Sequence, residues 1–248
     1  MRNPGAHRAA EVESRAVTTP WQTARVVSIR DETARTKTFR LALDEPARHR
    51  AGQHYVVRLT APDGYTASRS YSVASPPDDT SNELELTVER LAEGEVSTFL
   101  HDVVEPGDEL DVRGPIGGWF VWEGDTPALL VGGGSGIVPL MAMLRLARQT
   151  GRSDLVRVLV SARSPDDLFF ADELPGPETT IVYTRKVPSD WPRAAGRLMH
   201  DDVAPVLLPD VTAYVCVSTA FTNAASDLVV DVGVPIDRIR VERFGPTG

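Results

Sequence analysis

From Trp21 to Trp122 the chain alternates apolar and polar residues in short runs, at residues 25–29, 36–43, 55–59, 84–90 and 109–113. A further run ends in Arg69-Ser70-Tyr71-Ser72. The stretch Glu83-Leu84-Glu85-Leu86-Thr87-Val88-Glu89 has the two-residue period of a strand with one buried face. Turn clusters such as Pro62-Asp63-Gly64 and Pro106-Gly107-Asp108 separate the runs. Short strands at this spacing predict a small antiparallel barrel. Residues 94–101 break the period and predict one short helix plugging it.

Beyond Gly124-Asp125-Thr126-Pro127 the pattern changes. The runs 128–131, 156–160, 180–183 and 213–217 are apolar without alternation, as in strands covered on both faces by helices. Residues 137–149 predict a helix with Leu140, Leu144 and Ala147 on one face and Pro139 in its first turn, where proline costs little. Phe221, Ala225, Leu228 and Val232 form a similar stripe on the last helix. The fold class is therefore two-domain: an antiparallel β-barrel (residues 21–123) followed by an α/β parallel-sheet nucleotide-binding domain (residues 124–248). Residues 1–20 carry scattered charge and no apolar core, and are expected to be disordered.

Charge and cysteine content narrow the chemistry. The net charge of -9 argues against a nucleic-acid partner, which needs a basic footprint. No run approaches the apolar length of a membrane span, and no leader is evident, so a cytoplasmic location is expected. The single cysteine, Cys216, excludes an internal disulfide and a cluster held by four of the chain's own thiolates. Any iron-sulfur acceptor is then a separate protein. His7, His49, His54, His101 and His200 are scattered, without the spacing of a metal site.

Several segments carry candidate chemistry. Arg69 offers a fork of donors to a phosphate, and alternation puts Arg69 and Tyr71 on one side of their strand with Ser70 and Ser72 on the other. Gly94-Glu95-Val96-Ser97 opens a helix whose first amides can accept phosphate oxygens, or is a plain N-cap. Gly132-Gly133-Gly134-Ser135-Gly136 lies between a buried strand and a helix, the setting of a nucleotide-binding turn, although it is not the G-x-G-x-x-G fingerprint. Ser161 and Arg163 follow the second strand of this half and Arg185 follows the third. These positions favour a 2′-phosphate and hence NADPH, with NADH possible because Asp166 and Asp167 are near. Cys216 closes another apolar strand, as a ligand-crevice residue or simply a small buried one. Glu242 and Phe244 are either functional or a frayed end.

Taken together, these motifs resemble the ferredoxin-NADP reductase superfamily, specifically its small bacterial FAD-binding oxidoreductases without a fused iron-sulfur domain, over nearly everything after Trp21. The resemblance implies that Arg69 contacts the FAD phosphates, Tyr71 packs on the isoalloxazine and Ser72 bonds near flavin N5. Ser70, Val88, Gly94, Val96 and Ser97 complete the expected FAD contacts, and Arg113-Gly114-Pro115-Ile116-Gly117 closes the flavin domain. Gly133, Gly134, Ser135 and Gly136 correspond to the nicotinamide-nucleotide turn. Ser72, Cys216 and Glu242 are the expected catalytic residues, and Phe244 belongs to a terminus lying against the flavin. The implied function passes electrons from NAD(P)H through FAD to a separate iron-sulfur or oxygenase acceptor protein. One departure stands out, because Cys216 is followed by Val217 where the family has glycine. The alternative expectation is a flavin-binding regulatory or electron-transfer subunit with impaired nicotinamide binding.

Overall fold

The alternating runs of the first half fold into a six-stranded antiparallel sheet in the order β4-β3-β6-β1-β2-β5. Its strands are β1 (Gln22–Thr33), β2 (Thr36–Leu43), β3 (His54–Thr60), β4 (Thr66–Ser72), β5 (Glu83–Glu89) and β6 (Glu109–Ile116). Val73, just past β4, bridges Leu86 of β5, so the two outermost strands meet and the sheet curls into a barrel. Register shifts in β1 at Val26/Ser28 and Asp31/Thr33 are bulges that bend this long strand. Phe39, Leu41, Val57, Leu84, Leu86 and Val112 fill the interior, and α1 (Glu95–Asp102) plugs one end with Val96 and Leu100. The computed structural model describes residues 19–244, except for the side chains of residues 217–222 and 244. The expected disorder of residues 1–20 thus falls, for residues 1–18, outside the described residues.

The second half is a five-stranded parallel sheet, ordered β11-β10-β7-β8-β9. It comprises β7 (Ala128–Gly133), β8 (Val156–Ala162), β9 (Thr179–Tyr183), β10 (Thr212–Ser218) and β11 (Ile239–Phe244). The helices are α2 (Ile137–Gln149), the single turn α3 (His200–Val203) and α4 (Thr219–Asp231). Leu130, Val158, Val160 and Cys216 face α2. Leu129, Val131, Leu159 and Val215 face the other way, against Ala225 and Val229 of α4. The two-domain architecture expected from the sequence, an antiparallel barrel followed by an α/β parallel sheet, is the one observed.

One expectation needs correction, and one of two open readings is set aside. The helix α2 does not bury a single stripe: every residue from Ile137 to Leu144 is buried. The reason is that barrel residues Ala51 and Ala74 and the connector residues Phe120 and Trp122 cover the face turned away from the sheet. The chain's end is also not frayed at Glu242, because β11 pairs in parallel with β10 from Ala213↔Ile239 to Ser218↔Phe244.

The two sheets are tied together at several points. Arg145 of α2 donates to the Ala74 carbonyl at 2.9 Å and to Glu85 at 2.8 Å, both on the barrel side, and to Glu173 at 2.8 Å. The Phe170 amide donates to Glu32 of β1 at 3.2 Å. In the connector, the Val121 carbonyl accepts from Tyr214 at 3.0 Å and from Arg240 at 2.8 Å.

Candidate functional site

In β4 the alternation of the sequence sets the arrangement. Ala67 and Tyr71 pack toward the barrel core, and Arg69 between them is exposed. The Arg69 guanidinium makes one local bond, to the Ser68 carbonyl at 2.7 Å, which leaves most of its donors to a ligand. Burial pushes the Tyr71 phenol up, an effect that the Arg69 charge opposes. Tyr65, at the turn before β4, donates to Glu95 at 3.1 Å and brings the start of α1 to the same region. The Gly94 carbonyl accepts from the Thr98 amide at 2.8 Å, while the amides of residues 95–97 precede the first intrahelical bond and stay available to an anion.

The side chains of α1 itself serve the fold. Val96 is in the core. The Ser97 hydroxyl donates to the Gly94 carbonyl at 3.0 Å and accepts from the Leu91 amide at 3.2 Å. A Cβ on Gly94 would stand 2.3 Å from Ser97 Oγ, so glycine is required there by packing. Val88 also points into the barrel core, and its carbonyl bonds His101 Nε2 at 2.9 Å. Its side chain belongs to the same core cluster against which Tyr71 packs.

Ser72 is buried, and its Oγ has no hydrogen-bond partner among the described residues. Buried hydroxyls are normally paired, so this orphan marks a place for a ligand atom. Ser70, on the same face of β4, is exposed. Directly opposite Ser72 on β3 stands His54, which the sequence did not single out; burial holds its imidazole below the ordinary value.

The carboxyl ends of the parallel strands form the second half of the site, as expected for an α/β sheet. One row across the sheet joins Glu242, Cys216 and Gly132, and the adjoining Gly133 pairs with Ser161. Cys216 is fully buried, and burial, reinforced by the neighbouring Glu242 charge, pushes its thiol well up. Burial likewise pushes Glu242 up to about 7, and its Oε2 has no hydrogen-bond partner among the described residues. Phe244 continues β11, and its side chain, like that of Val217, lies outside the described residues.

A cleft of about 540 Å³ runs between the two halves. Gly133, Gly134, Ser135, Ser161 and Arg163 line it from the parallel sheet, and residues 33–36 with Glu89 and Leu91 line it from the barrel. Gly134 has φ 55 and nothing within 4 Å of a notional Cβ, so its backbone faces open space. Gly136 is buried at the start of α2. Arg185 is exposed and does not line the cleft, but its amide donates to the Arg163 carbonyl at 3.0 Å. Asp166 and Asp167 share the cleft, and Asp167 accepts from Ser164 at 2.5 Å. The site thus pairs a barrel strand carrying Arg69, Tyr71 and the orphan Ser72 with a cleft shared by the glycine turn and the barrel.

Residues 23–121 match the oxidoreductase FAD-binding domain family. The chain is 31% identical over 239 residues to the glycine betaine monooxygenase reductase subunit of Chromohalobacter salexigens, covering 90% of this chain and 64% of that protein. It is 29% identical over 235 residues to the propane 2-monooxygenase reductase component of Rhodococcus jostii, covering 89% and 62%. The chain thus spans less than two thirds of either relative. Among solved structures, the FAD/NAD-binding domain of a nitric oxide dioxygenase from Vibrio cholerae superposes with a TM-score of 0.79 at 25% identity, covering 91% of this chain and 99% of that one.

Proposed function

We propose that the chain, whose residues 23–121 match the oxidoreductase FAD-binding domain family, is a ferredoxin reductase-type FAD-binding oxidoreductase that takes electrons from NAD(P)H and delivers them to a separate one-electron acceptor protein, a ferredoxin or an oxygenase component. The observation that carries this reading is the cleft in which the glycine turn and the ends of β7 and β8 face the barrel across a common space. The relatives named as reductase components of monooxygenases support the kind of acceptor. Residues 21–123 and 124–248 are the two working halves. Among the described residues no helix is long and apolar enough to cross a membrane, and a cytoplasmic location is part of the proposal.

The residues present fit FAD. Arg69 and the first amides of α1 offer donors to a diphosphate, Tyr71 offers a ring at the barrel edge, and the orphan Ser72 Oγ offers a hydrogen bond. A bound flavin supplies the conversion between a two-electron hydride donor and single-electron delivery. The chain's own residues bind and orient. Gly134 lets backbone approach a nucleotide, and Ser161 and Arg163 meet its ribose end, with the exposed Arg163 favouring NADPH over NADH. Cys216 excludes water from the sheet ends, and Glu242, pushed up to about 7, holds or releases a proton near neutrality.

Anaerobic mixing of the FAD-loaded protein with NADPH or NADH tests the reading. Loss of the oxidised flavin absorbance, faster with NADPH, is expected. A flavin that neither nucleotide bleaches would overturn it.

A further inference from the structure

Glu32 is a barrel residue with a partner in the other half of the molecule. Its side chain is 7% exposed and pairs with Arg30 at 2.7 Å. Its Oε1 also accepts from the Thr38 hydroxyl at 2.7 Å, and its Oε2 accepts the backbone amide of Phe170 at 3.2 Å. Phe170 has φ 55, a left-handed conformation that a bulky residue keeps only where its surroundings hold it. Its ring is 2% exposed, with the Arg145 guanidinium 5.2 Å from the centroid.

Phe170 sits in the strap that follows β8. The near end of this strap, Arg163, Asp166, Asp167 and Phe169, is a wall of the cleft. The far end, at Glu173, is held by Arg145, which also grips Glu85 and the Ala74 carbonyl of the barrel. The barrel therefore restrains, from two directions, the segment that shapes the nucleotide pocket. The strained residue lies between the two restraints.

We propose that Glu32 is a positioning residue for the nicotinamide nucleotide. By accepting the Phe170 amide it keeps the strap in its left-handed bend and sets where Arg163 and the two aspartates stand relative to the glycine turn. Without that acceptor the backbone at Phe170 relaxes toward negative φ and the cleft wall moves. This inference rests on the nucleotide site under the proposed function, but it concerns binding and not turnover.

The test compares Glu32→Asp with Glu32→Gln in the FAD-loaded protein. Aspartate is one methylene shorter, so it can keep Arg30 and Thr38 while withdrawing from Phe170; glutamine keeps the reach and one acceptor oxygen, which the Phe170 amide takes while the NH2 turns to the Thr38 hydroxyl and the Arg30 pair is given up. For E32D, the dissociation constant of NADP+ is expected to rise about tenfold, the scale of one lost hydrogen bond. Amide exchange at Phe170 should accelerate by a similar factor, with FAD content unchanged. E32Q should restore both values to near wild type. NADP+ affinity or Phe170 exchange unmoved in E32D, an E32Q protein as impaired as E32D, or loss of FAD in step with lost affinity would each overturn the proposal. If E32D does not fold, amide exchange of the wild-type protein decides: protection at Phe170 that rises when NADP+ binds supports the role, and protection unmoved by NADP+ sinks it. A wild-type flavin unbleached by NADPH would instead defeat the proposed function and leave this binding test standing.

Discussion

Ser72 and Glu242 each keep a buried oxygen without a hydrogen-bond partner among the described residues, one on the barrel and one on the last strand. For Ser72, replacement by alanine removes the hydroxyl and leaves the strand intact; flavin reduction by NADPH, followed by stopped flow, is expected to slow about tenfold while FAD stays bound. For Glu242 the consequence is a pH dependence. Its carboxyl ionises at about 7 in the folded chain and at 4.5 when unfolded and solvated. A raised carboxyl stabilises the fold fully below the unfolded value and loses that contribution as pH rises through the folded one. The loss is on the order of 2–3 kcal/mol between pH 4 and 8, and urea melts of wild type against Glu242→Gln at both pH values should show it. Arg69, Tyr71, Ser72 and the glycine turn were legible in sequence because their chemistry is written in adjacent letters. His54 was not, since only the register of β3 against β4 sets it opposite Ser72.

At the scale of elements, hydrophobic period located β2 and α2 at the boundaries observed, Thr36–Leu43 and Ile137–Gln149. It missed β11, whose charged Arg240, Glu242 and Arg243 break any apolar run because the strand is at a sheet edge. It also gave α2 too narrow an apolar face, since covering by the barrel is a tertiary matter that no helical period encodes. Within the β7–α2 turn the glycines differ in kind. A Cβ on Gly132 would stand 2.8 Å from Leu140 Cδ1 and 3.2 Å from the Ile137 Cα, so strand and helix would have to separate. Gly132→Ala is expected to lower stability by about 1–3 kcal/mol in thermal melts. Gly134 has room but a positive φ, so Gly134→Ala should cost about 1 kcal/mol and mainly weaken nucleotide binding, as calorimetric titration would record.

For the molecule as a whole, the informative residues are far apart in sequence. Arg145 meets Glu85 60 residues away and Glu173 28 away, and no motif signals such a cluster. Its side chain is 13% exposed, and Arg145→Met would leave Glu85 without this partner and Glu173 with only the longer 3.7 Å pair to Arg30 at the junction of the sheets. The expected loss is about 2–3 kcal/mol by urea melt, below the ~3–5 kcal/mol of a fully buried pair because the carboxylates keep some water. The connector makes the same junction apolar, with Phe120 and Trp122 sharing one cluster with barrel residues Ala51 and Ala74 and with α2. Each half keeps a core of its own, but this shared cluster and the Arg145 bonds leave neither free to part from the other. Scanning calorimetry should therefore trace one endotherm, with equal calorimetric and van't Hoff enthalpies.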